Sequence, residues 1–194
     1  MIDVVAKTSE RVFIPLTVGG GINSIQDIRS LLKAGADKIS INTPALNNPN
    51  LISELSNSFG SQCVVIGMDI KIIDAEAYLF AKTGSERTAF CTNKKPLDWL
   101  QEVQDLGAGE VVINAMGKDG VRDGYDIELL QSLETKCSIP MIASGGAGGP
   151  DDFINVFEQT NVDGALAAGI FHRNEFSVGQ IKKALKTNKV NVRI

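Results

Sequence analysis

Apolar positions along this chain follow two alternating rhythms. Short, nearly continuous apolar runs at Ile14–Val18, Lys38–Asn42, Cys63–Asp69, Glu110–Asn114, Pro140–Ser144 and Gly164–Ala168 predict strands. They are continuous because a parallel strand is covered on both faces. Between them the spacing lengthens to that of a helix. Ile25, Ile28, Leu31 and Leu32 share a face, with Asn23 or Ser24 as N-cap and Gly35 as terminator. Leu51, Ile52, Leu55 and Phe59 repeat the device before Gly60, and Leu97, Leu100, Val103 and Leu106 repeat it before Gly107. Phe153, Val156 and Phe157 predict a further helix, and Val178, Ile181 and Leu185 the last. At the start, Ile2, Val5, Ser9 and Val12 lie on one side of a helix, with Lys7, Glu10 and Arg11 on the other.

Strand–helix alternation with short loops predicts a parallel α/β fold, either an open doubly wound sheet or a closed (β/α)8 barrel. An internal repeat favours the barrel. Ile14-Pro15-Leu16-Thr17-Val18-Gly19-Gly20-Gly21 leads through a helix to a strand ending at Asn42-Thr43. Ile139-Pro140-Met141-Ile142-Ala143-Ser144-Gly145-Gly146 does the same, ending at Ala168-Gly169. Pro15 to Asn42 is 27 residues and Pro140 to Ala168 is 28. The long connection from Ile70 to Pro96 carries a hairpin at Tyr78-Leu79-Phe80 and a turn at Thr83-Gly84-Ser85, and a loop of that length is more often functional than idle. A barrel of roughly 250 residues spends about 31 on each strand–helix unit. The 194 residues are therefore expected to form one domain with about six of the eight units, the first two being absent.

Composition narrows the class. An apolar content of 43% and a charged content of 22% suit a globular domain. A net charge of −4 argues against a nucleic-acid surface, which needs a clustered basic face. No apolar run reaches the ~18 residues of a membrane span. Cys63, Cys91 and Cys137 have no CxxC spacing, so buried free thiols in a reducing cytoplasm are expected rather than disulfides. His172, the only histidine, has no acidic or thiol cluster near it in sequence, and neither metal nor cofactor is expected.

Two glycine loops, each between a strand and a helix, are built to bring backbone N–H groups up to an anion. Gly20 and Gly21 begin the first cradle, and Asn42 and Thr43 end the neighbouring strand beside it. Ser144, Gly145, Gly146, Ala168 and Gly169 form the second. Singly, each loop could be no more than a tight turn; as a matched pair they predict a ligand with a phosphate at each end. Asp69 ends its strand at the rim where such barrels place reactive groups. A carboxylate there either caps a turn or does chemistry. Asn114, at the end of another strand, either caps it or binds substrate. Lys38 and Glu110 begin two strands at the opposite rim, where a salt bridge would close the barrel floor.

Several blocks in order resemble one family. They are Phe13-Ile14-Pro15-Leu16-Thr17-Val18-Gly19-Gly20-Gly21-Ile22, Gly35-Ala36-Asp37-Lys38-Ile39-Ser40-Ile41-Asn42-Thr43, Phe59-Gly60-Ser61-Gln62-Cys63-Val64-Val65, Gly107-Ala108-Gly109-Glu110, Asp119-Gly120, Gly124-Tyr125-Asp126, Ile142-Ala143-Ser144-Gly145-Gly146-Ala147-Gly148, Phe171-His172-Arg173 and Val190-Asn191-Val192-Arg193. From residue 13 on, the chain resembles the cyclase subunits of imidazole glycerol phosphate synthase, of histidine biosynthesis. The resemblance implies a cytoplasmic (β/α)8 barrel that pairs with a glutaminase subunit as a heterodimer. With ammonia from that partner it converts a bisphosphorylated phosphoribulosyl-formimino aminoimidazole carboxamide ribotide to imidazole glycerol phosphate and aminoimidazole carboxamide ribotide.

The same resemblance assigns residues. Asp69 matches one of two catalytic aspartates acting as general acid and base. The other, with an assisting lysine, belongs to the first family strand and its loop, within the units expected to be absent, so the chain is expected to hold half of the pair. Asp119 and Gly120 match an Asp-x-Asp-Gly pattern that positions substrate, with Gly117 where the family has its first Asp. Ser85 replaces a family glycine. Asp37, Lys38 and Glu110 match the partner face and the charged ring where ammonia enters. Two alternatives stand beside this reading: a non-catalytic truncated paralogue that binds a phosphorylated ligand or a partner chain, and the related phosphoribosyl isomerase of the same pathway.

Overall fold

Along the chain the strands are β1 (Thr17–Gly19), β2 (Lys38–Ile41), β3 (Val64–Ile73), β4 (Glu76–Ala81), β5 (Phe90–Cys91), β6 (Glu110–Ala115), β7 (Met141–Ser144) and β8 (Gly164–Leu166). The helices are α1 (Ile2–Ser9), α2 (Ile25–Lys33), α3 (Thr43–Asn47), α4 (Asn50–Phe59), α5 (Pro96–Asp105), α6 (Ile127–Glu134), α7 (Pro150–Gln159), α8 (Gly169–His172) and α9 (Val178–Thr187). The computed structural model describes residues 1–22 and 24–193. Six strands form one parallel path in the order β1-β2-β3-β6-β7-β8, with β4 and β5 an antiparallel excursion from β3. This is the half-open parallel sheet of a (β/α)8-family protein. β1 and β8 each pair on one side among the described residues.

The repeat seen in the sequence is built into the hydrogen bonding. Asp37, entering β2, accepts from the Leu16 N–H at 2.8 Å and donates its own N–H to the Leu16 carbonyl at 2.9 Å. Asp163, entering β8, does the same with Met141, at 2.9 Å in both directions. Asp37 thus satisfies the N–H just before β1, and Asp163 the first N–H of β7.

Side chains alternate across the sheet with period two. Ile39, Ile41, Ile66, Met68, Val111, Ile113, Met141 and Ala143 are buried under the helices, where each large aliphatic chain contributes about 1.5–3 kcal/mol. The intervening residues Ser40, Gly67, Asp69, Val112, Asn114 and Ser144 are half-buried and face a cavity. The prediction of strands covered on both faces holds at the start of β3, where Val64, Val65 and Ile66 are all buried; nearer the strand ends the helix side is covered and the other side lines the site.

The helices begin and end where their chemistry directs. The Ser24 hydroxyl accepts from the Asp27 N–H at 3.1 Å to start α2; the alternative cap, Asn23, lies outside the described residues. Asp126 accepts from Leu129 N–H at 3.1 Å to start α6, and Ser177 caps α9 in a reciprocal pair with Gln180. The Ser9 hydroxyl of α1 donates to the Ala34 carbonyl at the end of α2, at 3.1 Å.

Several boundaries differ from expectation. β1 begins at Thr17, leaving Phe13 91% and Ile14 61% exposed, because Pro15 offers no N–H and the ladder to β2 starts at Thr17–Lys38. β8 stops at Leu166, and the chain then turns into α8. β3 runs on to Ile73 because its end pairs with β4 across a turn at Asp74-Ala75. The three cysteines are free as expected but half-buried rather than buried. No described helix is long and apolar enough to cross a membrane.

Candidate functional site

Asp69, Asn114 and Ser144 occupy one row across three adjacent strands: Asp69 pairs with Asn114 in the β3–β6 register, and Asn114 with Ser144 in the β6–β7 register. All three face the cavity side of the sheet, and they form a chain of hydrogen bonds. The Asn114 amide donates from Nδ2 to Asp69 Oδ1 at 2.8 Å, and the Ser144 hydroxyl donates to Asn114 Oδ1 at 3.4 Å. From the other side, Asn42 Nδ2 and the Thr83 hydroxyl donate to Asp69 Oδ2 at 2.6 and 2.5 Å. Three donors from three segments therefore hold one carboxylate. Asp69 does not cap a turn.

Two cavities meet at this row. The larger, about 870 Å³, runs from Gly20, Gly21 and Thr43 past Asp69 to Asn114 and Ser144. The smaller, about 270 Å³, runs from Asn114 and Ser144 past Gly145 and Gly146 to Ala168 and Gly169, with Asp119 and Gly120 on its wall. Asn114 and Ser144 line both, so the two glycine loops open onto one continuous hollow with Asp69 between them.

The second loop is shaped by close backbone packing. Gly146 has φ +104°, and a Cβ there would stand 2.0 Å from the Gly124 carbonyl oxygen. The Gly124 N–H donates to the Gly146 carbonyl at 3.0 Å. Asp152 accepts from the N–H groups of Gly148 and Gly149 at 2.7 and 3.0 Å, anchoring the loop to the start of α7. Next to Gly124, the Tyr125 hydroxyl donates to the Leu166 carbonyl at 3.1 Å, and its ring meets Phe153 edge-on at 5.6 Å. Burial raises the Tyr125 phenol pKa well above its ordinary value, and the Asp152 charge adds to the shift. The Gly-Tyr-Asp block thus ties the loop after β6, the loop after β7 and the end of β8 together.

Around the first loop, the Thr43 hydroxyl accepts from the Lys82 N–H at 2.8 Å. The Asn42 amide donates to Asp69 and reaches the Phe80 carbonyl at 3.3 Å. Its Oδ1 is buried without a partner among the described residues. Sequence reasoning missed Lys82 and Thr83, which enter the cavity from the β4–β5 connection. The only signal for them was the length of that connection. Among the described residues, Asp69 and Lys82 are the charged ones lining the larger cavity.

At the opposite rim Lys38 and Glu110 form an ion pair across β3. The Asp37 carboxylate is bound to the Leu16 N–H at the same end of the sheet. His172 is exposed, and no cluster of three or more His, Cys, Asp or Glu among the described residues is placed to hold a metal ion.

Comparison with known proteins adds a family and relatives. The family model described as "Histidine biosynthesis protein" matches residues 1–177. The chain is 47% identical to the imidazole glycerol phosphate synthase subunit HisF of Pseudoalteromonas translucida, over 98% of this chain and 75% of that one. It is 48% identical to the subunit of the same name from Psychromonas ingrahamii, with the same coverage. Against the subunit from Vibrio cholerae it is 47% identical, over 97% of this chain and 74% of the relative.

Proposed function

The chain belongs to the histidine biosynthesis protein family and, within it, to the HisF-type subunits of imidazole glycerol phosphate synthase, and on that premise we propose how its site performs the cyclase reaction. The substrate is a phosphoribulosyl-formimino aminoimidazole carboxamide ribotide, a molecule with a phosphate at each end. Gly20, Gly21 and Thr43 hold one phosphate; Gly145, Gly146, Ala168 and Gly169 hold the other, beside Asp119 and Gly120. The observation that supports this reading is the continuity of the two cavities through Asn114 and Ser144, with Asp69 at the junction. A ligand gripped at both ends presents its middle to that carboxylate, which supplies the positional advantage of an intramolecular reaction.

Adding ammonia, closing the imidazole ring and breaking a C–N bond move protons on and off different atoms. Asp69 takes up and returns such protons. Asn114, Thr83 and Asn42 keep its oxygens pointed at the reacting atoms. Asn42 acts through Asp69 rather than on the phosphate. General acid–base work at two points needs a second carboxylate, and in the larger cavity Asp69 is the only acid among the described lining residues.

Ammonia comes from a glutaminase subunit docked at the rim of Lys38, Glu110 and Asp37, and passes up the sheet to Asp69. Three unpaired cysteines fit the reducing cytoplasm where such an enzyme works. The test is turnover of the bisphosphorylated substrate with ammonium salts, followed by the appearance of both products. Loss of at least about a hundredfold in kcat in Asp69→Asn is expected, and undiminished turnover in that variant would contradict the assignment.

A further inference from the structure

Two arginines stand on the lip of the second cradle, and nothing above gives them a task. Arg122 and Arg173 both line the smaller cavity, together with Gly145 and Gly146. They come from different segments: Arg122 from the turn after β6, Arg173 from the end of α8. Glu175 bridges them, accepting from Arg122 through Oε2 and from Arg173 through Oε1. Those bonds use one nitrogen of each guanidinium, Nη2 of Arg122 and Nε of Arg173, and leave the other donors for a ligand.

The backbone is arranged to admit both groups. Arg122 has φ +68°, an uncommon left-handed conformation for a residue with a side chain. Its carbonyl oxygen would lie 2.6 Å from a Cβ on Gly148, so the turn rests directly on the second glycine loop. The Arg173 guanidinium packs on Gly169, where a Cβ would come within 2.7 Å of Nη1. Any larger residue at Gly148 or Gly169 would push an arginine away from the cradle.

Charge gives the reason for a cationic lip. The cradle's wall carries the Asp119 carboxylate, which repels a dianion bound to the glycine N–H groups. Counting the charged residues that line this cavity together with Glu175, two arginines balance two carboxylates, whereas Asp119 alone would leave the wall negative. The hydrogen bond from Arg173, with Arg122 alongside, holds the Glu175 carboxyl below the usual carboxylate range, so it stays a charged bridge.

We propose that Arg122 and Arg173, bridged by Glu175, form a guanidinium clamp that binds the non-bridging oxygens of a phosphate monoester at the second cradle. A planar fork of N–H donors matches phosphate geometry and a lysine does not, so guanidinium is the group for this task. The clamp deepens the cyclase reading and rests on it for the identity of the molecule that carries the phosphate. It makes the two ends of the hollow chemically different, with an arginine pair at one cradle and Lys82 at the other.

Inorganic phosphate is the probe, titrated into the 15N-labelled protein while the amide signals of Gly145, Gly146 and Gly20 are followed. Arg122→Gln and Arg173→Gln are each expected to weaken binding at Gly145 and Gly146 about tenfold, the effect of one lost charge-assisted hydrogen bond. Arg173→Lys is expected to recover part of that loss. Affinity at Gly20 stays unchanged, which serves as the check on folding. Affinities at Gly145 and Gly146 within twofold of the parent protein in both Gln variants would overturn the clamp, as would equal weakening at Gly20. Because the readout is phosphate affinity and not turnover, failure of the cyclase assay leaves this result standing, and the reverse.

Discussion

Asn114 stands opposite Asp69 in the parallel register of β3 and β6 and donates its amide N–H to the Asp69 carboxylate at 2.8 Å. The same amide accepts from Ser144, so its orientation is set from both sides. A hydrogen bond to a charged group is worth about 1.5–3 kcal/mol. If it is used mainly when the proton moves, Asn114→Ala lowers kcat by about tenfold or more while KM shifts little. Steady-state kinetics with ammonium salts separate the two parameters; an unchanged kcat would show that Asp69 needs no such support.

The glycine loops differ in what they tolerate. At Gly20, φ is +89° and a Cβ would meet nothing within 4 Å, so Gly20→Ala carries only backbone strain, about 1–2 kcal/mol. At Gly146 the same strain is joined by collision with the Gly124 carbonyl, and Gly146→Ala is expected to cost about 3 kcal/mol or more. Urea unfolding of the two variants measures the difference. Equal losses would mean that the Gly124–Gly146 contact does not lock the second cradle.

Tyr125 makes stability depend on alkaline pH. Its folded pKa lies above the ordinary value of 10.0, because burial disfavours the phenolate. The stabilisation is present in full below pH 10. Above it the unfolded chain loses the phenol proton while the folded chain keeps it, so stability falls by about 1.4 kcal/mol per pH unit until the folded value is reached. Cys137, whose thiol pKa burial also raises, adds a slope of the same sign from near its ordinary value of 9.0. Tyr125→Phe removes the tyrosine's share of the slope, at a cost below pH 10 of about 1 kcal/mol for the lost bond to Leu166. Denaturation curves at pH 8 to 11 test this, and equal slopes in parent and variant would refute it.

The Lys38–Glu110 pair separates ammonia delivery from chemistry. Lys38 is 30% and Glu110 14% exposed at the rim far from Asp69. In Lys38→Met, turnover with the glutaminase partner and glutamine is expected to fall about threefold, a loss of roughly 0.65 kcal/mol in coupling. Turnover with ammonium salts stays near the parent value. Equal loss with both nitrogen sources would place Lys38 in the folding or chemistry of the barrel instead.

What could be read in the sequence follows from the range over which each signal acts. The parallel strands and the matched loops were legible because burial imposes local patterns, and the α2 and α4 ends were legible because Ser24 and Gly60 act within one turn. The Asp74-Ala75 turn was not, because neither residue is a glycine or asparagine although φ is +50° and +65°. Helix α6 carries its pattern in Leu129, Leu130 and Leu133 behind the Asp126 cap, but it is only eight residues long and follows a loop rich in glycine and aspartate, which masks its start. Position along the chain sets Asn42 beside the first cradle, but its amide donates to Asp69; side-chain direction depends on neighbours distant in sequence. Arg122 and Arg173 lie 51 residues apart by number and share only Glu175 and the cavity wall, so no spacing rule joins them.

The central claim is that one bisphosphorylated molecule spans both cradles across Asp69. A crystal structure with the substrate or a slow analogue bound tests it most directly. The account predicts one ligand per hollow, one phosphate at the N–H groups of Gly20 and Gly21, the other at Gly145 and Gly146, and its reacting carbons within hydrogen-bonding reach of Asp69. A ligand with both phosphates at one cradle, or a separate molecule at each with Asp69 untouched, would contradict it.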